Sequence, residues 1–228
     1  MHNELNKAKI SNQYFNNKIC LDVLEKYFEN YSRYFKNNFQ SIISDIFYGL
    51  YDSRIIWNNC NKLNHNIKYF NILRIPPDEV QNYKKRAEKY ITIIDCIEYY
   101  QKNFVEDIYC NNCQKVVKGS YNCILLKYPK VIIIDLKNNN ETNVDIKINF
   151  EEIINIQDLF YSKDNIKYKL IGVISKYYQY GLSIQFIAFC KSFINNNWYK
   201  YNDSIVSLSF FKDIKRVRKP SLFFYSSE

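Results

Sequence analysis

Between residues 20 and 47 the apolar positions fall at steps of three and four: Leu21, Leu24, Phe28, Tyr31, Phe35, Phe39, Ile42, Ile43 and Phe47. That spacing sets them on one helical face, so the first 48 residues are expected as one or two amphipathic helices on a core, stopped at Gly49. Residues 53–57 and 66–75 then read as strands, joined through a polar turn around Cys60. Pro76-Pro77 closes this unit, and from 78 to 101 the helical period returns with Val80, Tyr83, Ala87, Tyr90, Ile91, Ile94 and Ile97. Beyond residue 105 the period becomes that of short, β-branched strands: 105–109, 114–117, 121–127, 130–136, 145–150, 168–175, 183–192, 198–201 and 205–207. The run 131–136 is almost wholly apolar, the mark of a central strand covered on both faces. The pattern therefore predicts an α+β fold, a helical N-terminal part docked on a mostly antiparallel sheet system.

Composition narrows the class. A chain of 228 residues with 47% hydrophobic and 18% aromatic residues has enough apolar surface to offset its ordering entropy, which excludes a disordered tail. The net charge of +9 admits nucleic acid or an acidic surface as partner. Two short basic clusters stand out, Lys84, Lys85, Arg86 and Lys89, and Lys212, Lys215, Arg216, Arg218 and Lys219; a charged run is more often a solvated face. The longest greasy run, Val131-Ile132-Ile133-Ile134, is far short of a membrane span, and no secretory leader is read at the N-terminus. The seven cysteines thus read as thiols or metal ligands of a cytoplasmic or nuclear protein, not as a disulfide set.

Cys110-Asn111-Asn112-Cys113 has the spacing at which two thiolates on one tight turn meet one ion. A closed structural site needs four ligands, and Cys60 with His65, on the other polar turn, are the candidates to complete it. One structural zinc on Cys60, His65, Cys110 and Cys113 is one reading; small thiols packed or free at loop tips is the other. Cys123 and Cys190 fall within strand patterns and Cys20 and Cys96 within helical ones, so these four are expected as core residues.

The order of these segments resembles the ubiquitin-specific proteases, the papain-like deubiquitinases. Ile46-Phe47-Tyr48-Gly49 and then Trp57-Asn58-Asn59-Cys60 look like the start of that family's fingers and its first knuckle, and Tyr109 to Cys113 like the second. Tyr128-Pro129-Lys130-Val131-Ile132-Ile133-Ile134-Asp135-Leu136-Lys137 is similar to a family strand signature. Tyr168-Lys169-Leu170-Ile171-Gly172-Val173-Ile174 and Trp198-Tyr199-Lys200-Tyr201-Asn202-Asp203-Ser204 resemble the two C-terminal signatures. The resemblance spans about residues 40–210. It implies a papain-like fold in a single, N-terminally truncated domain: a helical thumb remnant over 1–48, a fingers-like part over 49–125 and a palm sheet over 126–228.

The departures bear on function. Nothing here resembles the family's N-terminal catalytic cysteine box. Gln185 occupies the position of the catalytic histidine, while Asn202 matches the orienting residue and Asp203 the polar residue after it. Trp57 stands where the first knuckle's first cysteine belongs. A thiol needs an imidazole to become thiolate and to protonate the leaving amine, and an amide does neither. The chain is thus expected to be a non-catalytic, ubiquitin-protease-like domain that binds protein. Its partner would be ubiquitin, a ubiquitin-like protein or, since the basic charge is a poor complement to ubiquitin's basic binding face, a larger complex. A deubiquitinating thiol hydrolase completed by another chain and a basic nucleic-acid-associated protein stay open as alternatives. A hydrogen-bonded Gln185–Asn202 pair is the bland account of the degenerate site.

Overall fold

In the computed structural model the described residues are 29–30, 33, 41–85, 90–137, 146–156, 159, 166–179, 183–217 and 219–228. Most of the helical expectation for 1–48, with Cys20, and the cluster members Arg86, Lys89 and Arg218 lie outside them. The chain divides into two compact units, residues 1–44 and 45–228. In the first, Glu29, Asn30 and Arg33 are helical, and Ser41 caps helix α1 (Ile42–Phe47) by accepting from the Ser44 N–H at 3.2 Å.

The described residues of the second unit form three sheets. The first contains β1 (Gly49–Trp57), β2 (Lys62–Phe70), β5 (Phe104–Cys110) and β6 (Lys115–Lys127), in the order β2-β1-β6-β5 and antiparallel throughout. Gly49 opens it because nothing larger fits: a Cβ there would lie 2.4 Å from the Phe70 ring and 2.7 Å from the Lys127 carbonyl. The glycine expected to stop a helix therefore also starts a strand, four residues earlier than the alternation suggested.

The second sheet runs β13-β12-β11-β10-β14-β7-β3, with β9 (Ile153–Asn155) paired to β10. Its members are β3 (Leu73–Ile75), β7 (Val131–Leu136), β10 (Lys167–Gln179), β11 (Ser183–Lys191), β12 (Trp198–Asn202), β13 (Ile205–Ser209) and β14 (Pro220–Ser227). All its pairings are antiparallel except β3 with β7. Along β7, Ile132, Ile134 and Leu136 are buried and Val131, Ile133 and Asp135 half-buried, so one face is sealed and the other partly covered. Strand β14, which the sequence pattern did not predict, lies between β10 and β7 and buries Phe223 and Tyr225.

The helical expectation for 78–101 resolves into α2 (Pro77–Lys84), a short strand β4 (Tyr90–Thr92) paired in parallel with β8 (Lys147–Asn149), and α3 (Ile93–Tyr100). Thr92 ends the strand and begins the helix in one step. Its hydroxyl accepts from the Asp95 N–H at 3.0 Å while the Asp95 carboxylate accepts from the Thr92 N–H at 2.8 Å. The core joins these helices to the second sheet through Val80, Ile93, Ile97, Ile134, Leu170 and Phe223. Two wholly buried tyrosines are satisfied, Tyr168 donating to the Pro129 carbonyl and Tyr225 to the Glu151 carbonyl at 2.9 Å.

Candidate functional site: a thiol cluster and the positions matched to a triad

The β1–β2 and β5–β6 turns lie at the same end of the first sheet, because β1 runs antiparallel to β6 with Trp57 opposite Gly119. They share one form. Trp57 pairs with Lys62 and Cys110 with Lys115 across four-residue connections. The residue after the last cysteine of each, Asn61 and Gln114, takes a left-handed φ of 53° and 52°. Cys60, Cys110 and Cys113 meet there, with all three sulfurs within 4.8 Å of one another and the Cys60 and Cys110 sulfurs 3.7 Å apart. Tetrahedral zinc with bonds of about 2.3 Å spaces its sulfurs by roughly 3.8 Å, so the donor set fits three corners of such a site.

Burial pushes Cys110 up, but the N–H of Cys113, the thiol of Cys60 and the N–H of Asn112 outweigh it and hold Cys110 below the ordinary thiol value. Cys113 is pushed up to about 11, first by its hydrogen bonds with Cys60 and Cys110. Backbone N–H groups aimed at a knuckle sulfur stabilise the thiolate a metal needs.

His65, the fourth candidate, is not in this group. It pairs with Arg54, three ladder steps from the Trp57–Lys62 pair and hence roughly 10 Å up the strands. Its Nδ1 lies 2.7 Å from the Asp52 carboxylate. Asp52 is wholly buried and also takes the Arg54 Nε at 2.5 Å and the Asn66 N–H at 3.2 Å. Burial would raise this carboxyl, yet the bonds from His65 and Arg54 bring it below the ordinary value. Sequence reasoning missed this network; a lone Asp-x-Arg in a strand gives no sign of the cross-strand histidine.

The residues that the resemblance matches to a triad, Gln185, Asn202 and Asp203, lie on or at the end of strands of the second sheet. Gln185 is half-buried on β11 opposite Tyr177 of β10. The pairing of Ala188 with Tyr201 leads to Asn202 at the end of β12, and Asp203 turns the chain into β13 with a φ of 50°. The Asn202 Oδ1 is buried with no hydrogen-bond partner, so Gln185 and Asn202 do not form the satisfied pair entertained above. Among the other thiols, Cys96 is buried in α3 and Cys123 in β6, as expected, whereas Cys190 is exposed on β11. Its side chain points off the sheet because its neighbour Phe189 takes the core-facing position. Burial raises the pKa of Cys96 and Cys123.

The basic clusters are partly spent within the fold. Lys84 lies between Asp95, at 3.1 Å, and Glu98, and Lys215 pairs with Glu151 at 2.9 Å. No described helix is long and apolar enough to cross a membrane.

The ubiquitin carboxyl-terminal hydrolase family model matches residues 4–225. "Ubiquitin carboxyl-terminal hydrolase 2" of Gallus gallus is 23% identical over 220 residues, covering 91% of this chain and 59% of the relative. "Ubiquitin carboxyl-terminal hydrolase 25" of Arabidopsis thaliana is 26% identical over 198 residues, covering 83% and 29%. The chain thus spans less than two thirds of the length of either relative. Among solved structures, the SAGA Ubp8/Sgf11/Sus1/Sgf73 module bound to ubiquitin aldehyde superposes with a TM-score of 0.65 at 23% identity, over 84% of this chain and 44% of the other. A yeast SAGA deubiquitinase module superposes with a TM-score of 0.70 at 23% identity, over 85% and 44%. The fold is the papain-like fold of the ubiquitin-specific proteases.

Proposed function

We propose that this chain, which belongs to the ubiquitin carboxyl-terminal hydrolase family, is a non-catalytic member that holds a protein partner instead of cleaving it. One observation carries this reading: the Asn202 Oδ1, at the position that the resemblance matches to the orienting residue, is buried without a donor, and the residue matched to the histidine is Gln185. In a working thiol hydrolase that acceptor orients the imidazole. An amide neither takes a proton from a thiol nor returns one to a leaving amine.

The partner is a ubiquitin or ubiquitin-like protein, alone or within a larger complex. The solved neighbours support this, since they are deubiquitinase modules with further subunits, one of them bound to ubiquitin aldehyde. The binding edge on this reading is β13, the terminal strand of its sheet, which begins beside Asn202 and exposes Ile205, Val206 and Leu208. An extended tail can add there as a further strand by main-chain hydrogen bonds, with no chemistry. One zinc on Cys60, Cys110 and Cys113 would clamp the two turns of the other sheet. The free cysteines suit the cytoplasm or nucleus.

A second reading has a specific support. The vacant Asn202 acceptor would also suit an imidazole brought by another chain, in a hydrolase completed in trans. The ion pairs of Lys84 and Lys215 weaken the nucleic-acid alternative. The test is a pull-down with monoubiquitin and linked chains, followed by incubation with a C-terminally activated ubiquitin probe. Retention without covalent capture is expected. Capture at any cysteine of the isolated chain overturns the non-catalytic reading, and loss of retention overturns ubiquitin as the partner.

A further inference from the structure

The two turns that bring the thiols together match position for position, which identifies what stands in the fourth corner. Each runs from the last paired residue of one strand, through Asn-Asn-Cys and a left-handed residue, to a lysine that opens the next: Trp57-Asn58-Asn59-Cys60-Asn61-Lys62 and Cys110-Asn111-Asn112-Cys113-Gln114-Lys115. Cys60 is the counterpart of Cys113, and Trp57 of Cys110. The fourth thiol of a closed centre is therefore replaced by an indole.

An indole cannot ligate a metal in its stead: it has one N–H donor and no acceptor. That N–H is in any case directed to the Tyr109 carbonyl at 3.2 Å. His65 is held at Asp52 in the middle of the sheet. Beside Cys110 a cleft opens between Trp57, Lys62, Leu63 and Asn64. The cleft is lined by both Cys110 and Trp57, the residue at the missing ligand's place, and by Lys62, so solvent and small solutes come up to that flank of the cluster.

We infer that Cys60, Cys110 and Cys113 form a three-thiolate zinc site whose fourth coordination position is open to exchangeable external ligands, water by default and a small thiol in its place. The inference rests on the zinc reading above. Structural zinc sites are closed by four protein ligands, and a fourth position left to solvent is the signature of sites that exchange ligands. Zinc with three thiolates carries one net negative charge, and Lys62 at the cleft offsets it. The lysine also favours an incoming anion over a neutral donor.

The experiment uses the full chain, reduced and stripped of metal, titrated with Co²⁺ as spectroscopic probe and then with Zn²⁺. One equivalent of Co²⁺ should give the thiolate charge-transfer and d–d bands of a tetrahedral site, and Cys110→Ser should abolish them. Adding 2-mercaptoethanol to the wild-type Co²⁺ form should shift the d–d bands with saturation. In Trp57→Cys the bands should no longer respond to added thiol, and zinc should bind at least tenfold more tightly. A wild-type spectrum unmoved by added thiol, with one metal bound, overturns the open position and leaves the zinc reading standing. Failure to retain either metal at one per chain overturns both. The wild-type titration decides the question even if Trp57→Cys does not fold.

Discussion

Asp52 is the residue whose removal should cost this fold most for its size. Its carboxylate is wholly buried and takes Arg54 at 2.5 Å, His65 at 2.7 Å and the Asn66 N–H at 3.2 Å. In Asp52→Ala the Arg54 guanidinium, whose side chain is only 10% exposed, keeps its charge and loses its counter-ion. Breaking a buried pair from one side costs about 3–5 kcal/mol. For a unit of this size that lowers Tm by roughly 6–20 °C. Replacing both ions, in Asp52→Leu/Arg54→Met, should recover more than half of the loss, because no buried charge is then left unpaired. Urea unfolding followed by fluorescence suits the question, since the two tryptophans report from different sheets, Trp57 from β1 and Trp198 from β12. The pH dependence supplies a second check. Asp52 is held below its ordinary value in the folded chain, so its stabilisation is fully present above the unfolded carboxyl value of about 3.9 and is lost as pH falls through the folded one. The gap between wild type and Asp52→Ala should therefore stay open between pH 7 and 5 and close only below about pH 4. A gap under about 1 kcal/mol at pH 7, or one already closing at pH 6, would refute the reasoning.

Gly49→Ala should destabilise by about 1–3 kcal/mol, since the new methyl meets both the Phe70 ring and the Lys127 carbonyl, and only the ring can yield; urea midpoints compare the two chains. Thr92→Ala removes one half of the capping box at α3 and should cost about 1 kcal/mol, with Thr92→Ser recovering most of it. Gln185→His supplies an imidazole at the position that the resemblance matches to the histidine but no thiolate, so the variant should still fail to capture an activated ubiquitin probe in a gel-shift assay.

Much of the second sheet was legible because its strands alternate or run apolar, and the signatures over 128–137, 168–174 and 198–204 fall on β7, β10 and β12. The errors have local causes. Residues 66–75 read as one strand, but the chain breaks at Asn71 and Ile72 to pass from the first sheet to the second, a change of partner that periodicity does not register. Strand β2 starts at Lys62, earlier than read, because its first residues Lys62, Leu63 and Asn64 are all exposed and carry no alternation. The helical run 78–101 hid β4, since Tyr90 and Ile91 suit either period and only the parallel partner β8 decides between them. Strand β14 was hidden for a different reason: the basic residues before it drew the reading toward charge, although Leu222 to Tyr225 is as apolar as β7.

The thiol cluster shows where sequence reasoning stops. Spacing alone places Cys110 and Cys113 on one turn. That Cys60, 50 residues earlier, should come within 3.7 Å depends on β1 lying beside β6 in the register that sets Trp57 against Gly119. His65 was a reasonable fourth ligand by distance along the chain, and the same register carries it up the ladder to Asp52. The two departures on which the proposed reading rests, Gln185 where the resemblance places a histidine and Trp57 where it places a cysteine, have one physical feature in common. Neither position belongs to the buried core: both are half-exposed, near the ends of their strands, whereas Tyr168, Phe223 and Tyr225 are wholly enclosed. Burial holds the sheets together, and Gln185 and Trp57 both stand outside the buried set. Such a fold can lose its chemistry at little cost in stability and keep its surfaces, which is the condition under which a hydrolase scaffold is free to serve as a binding one.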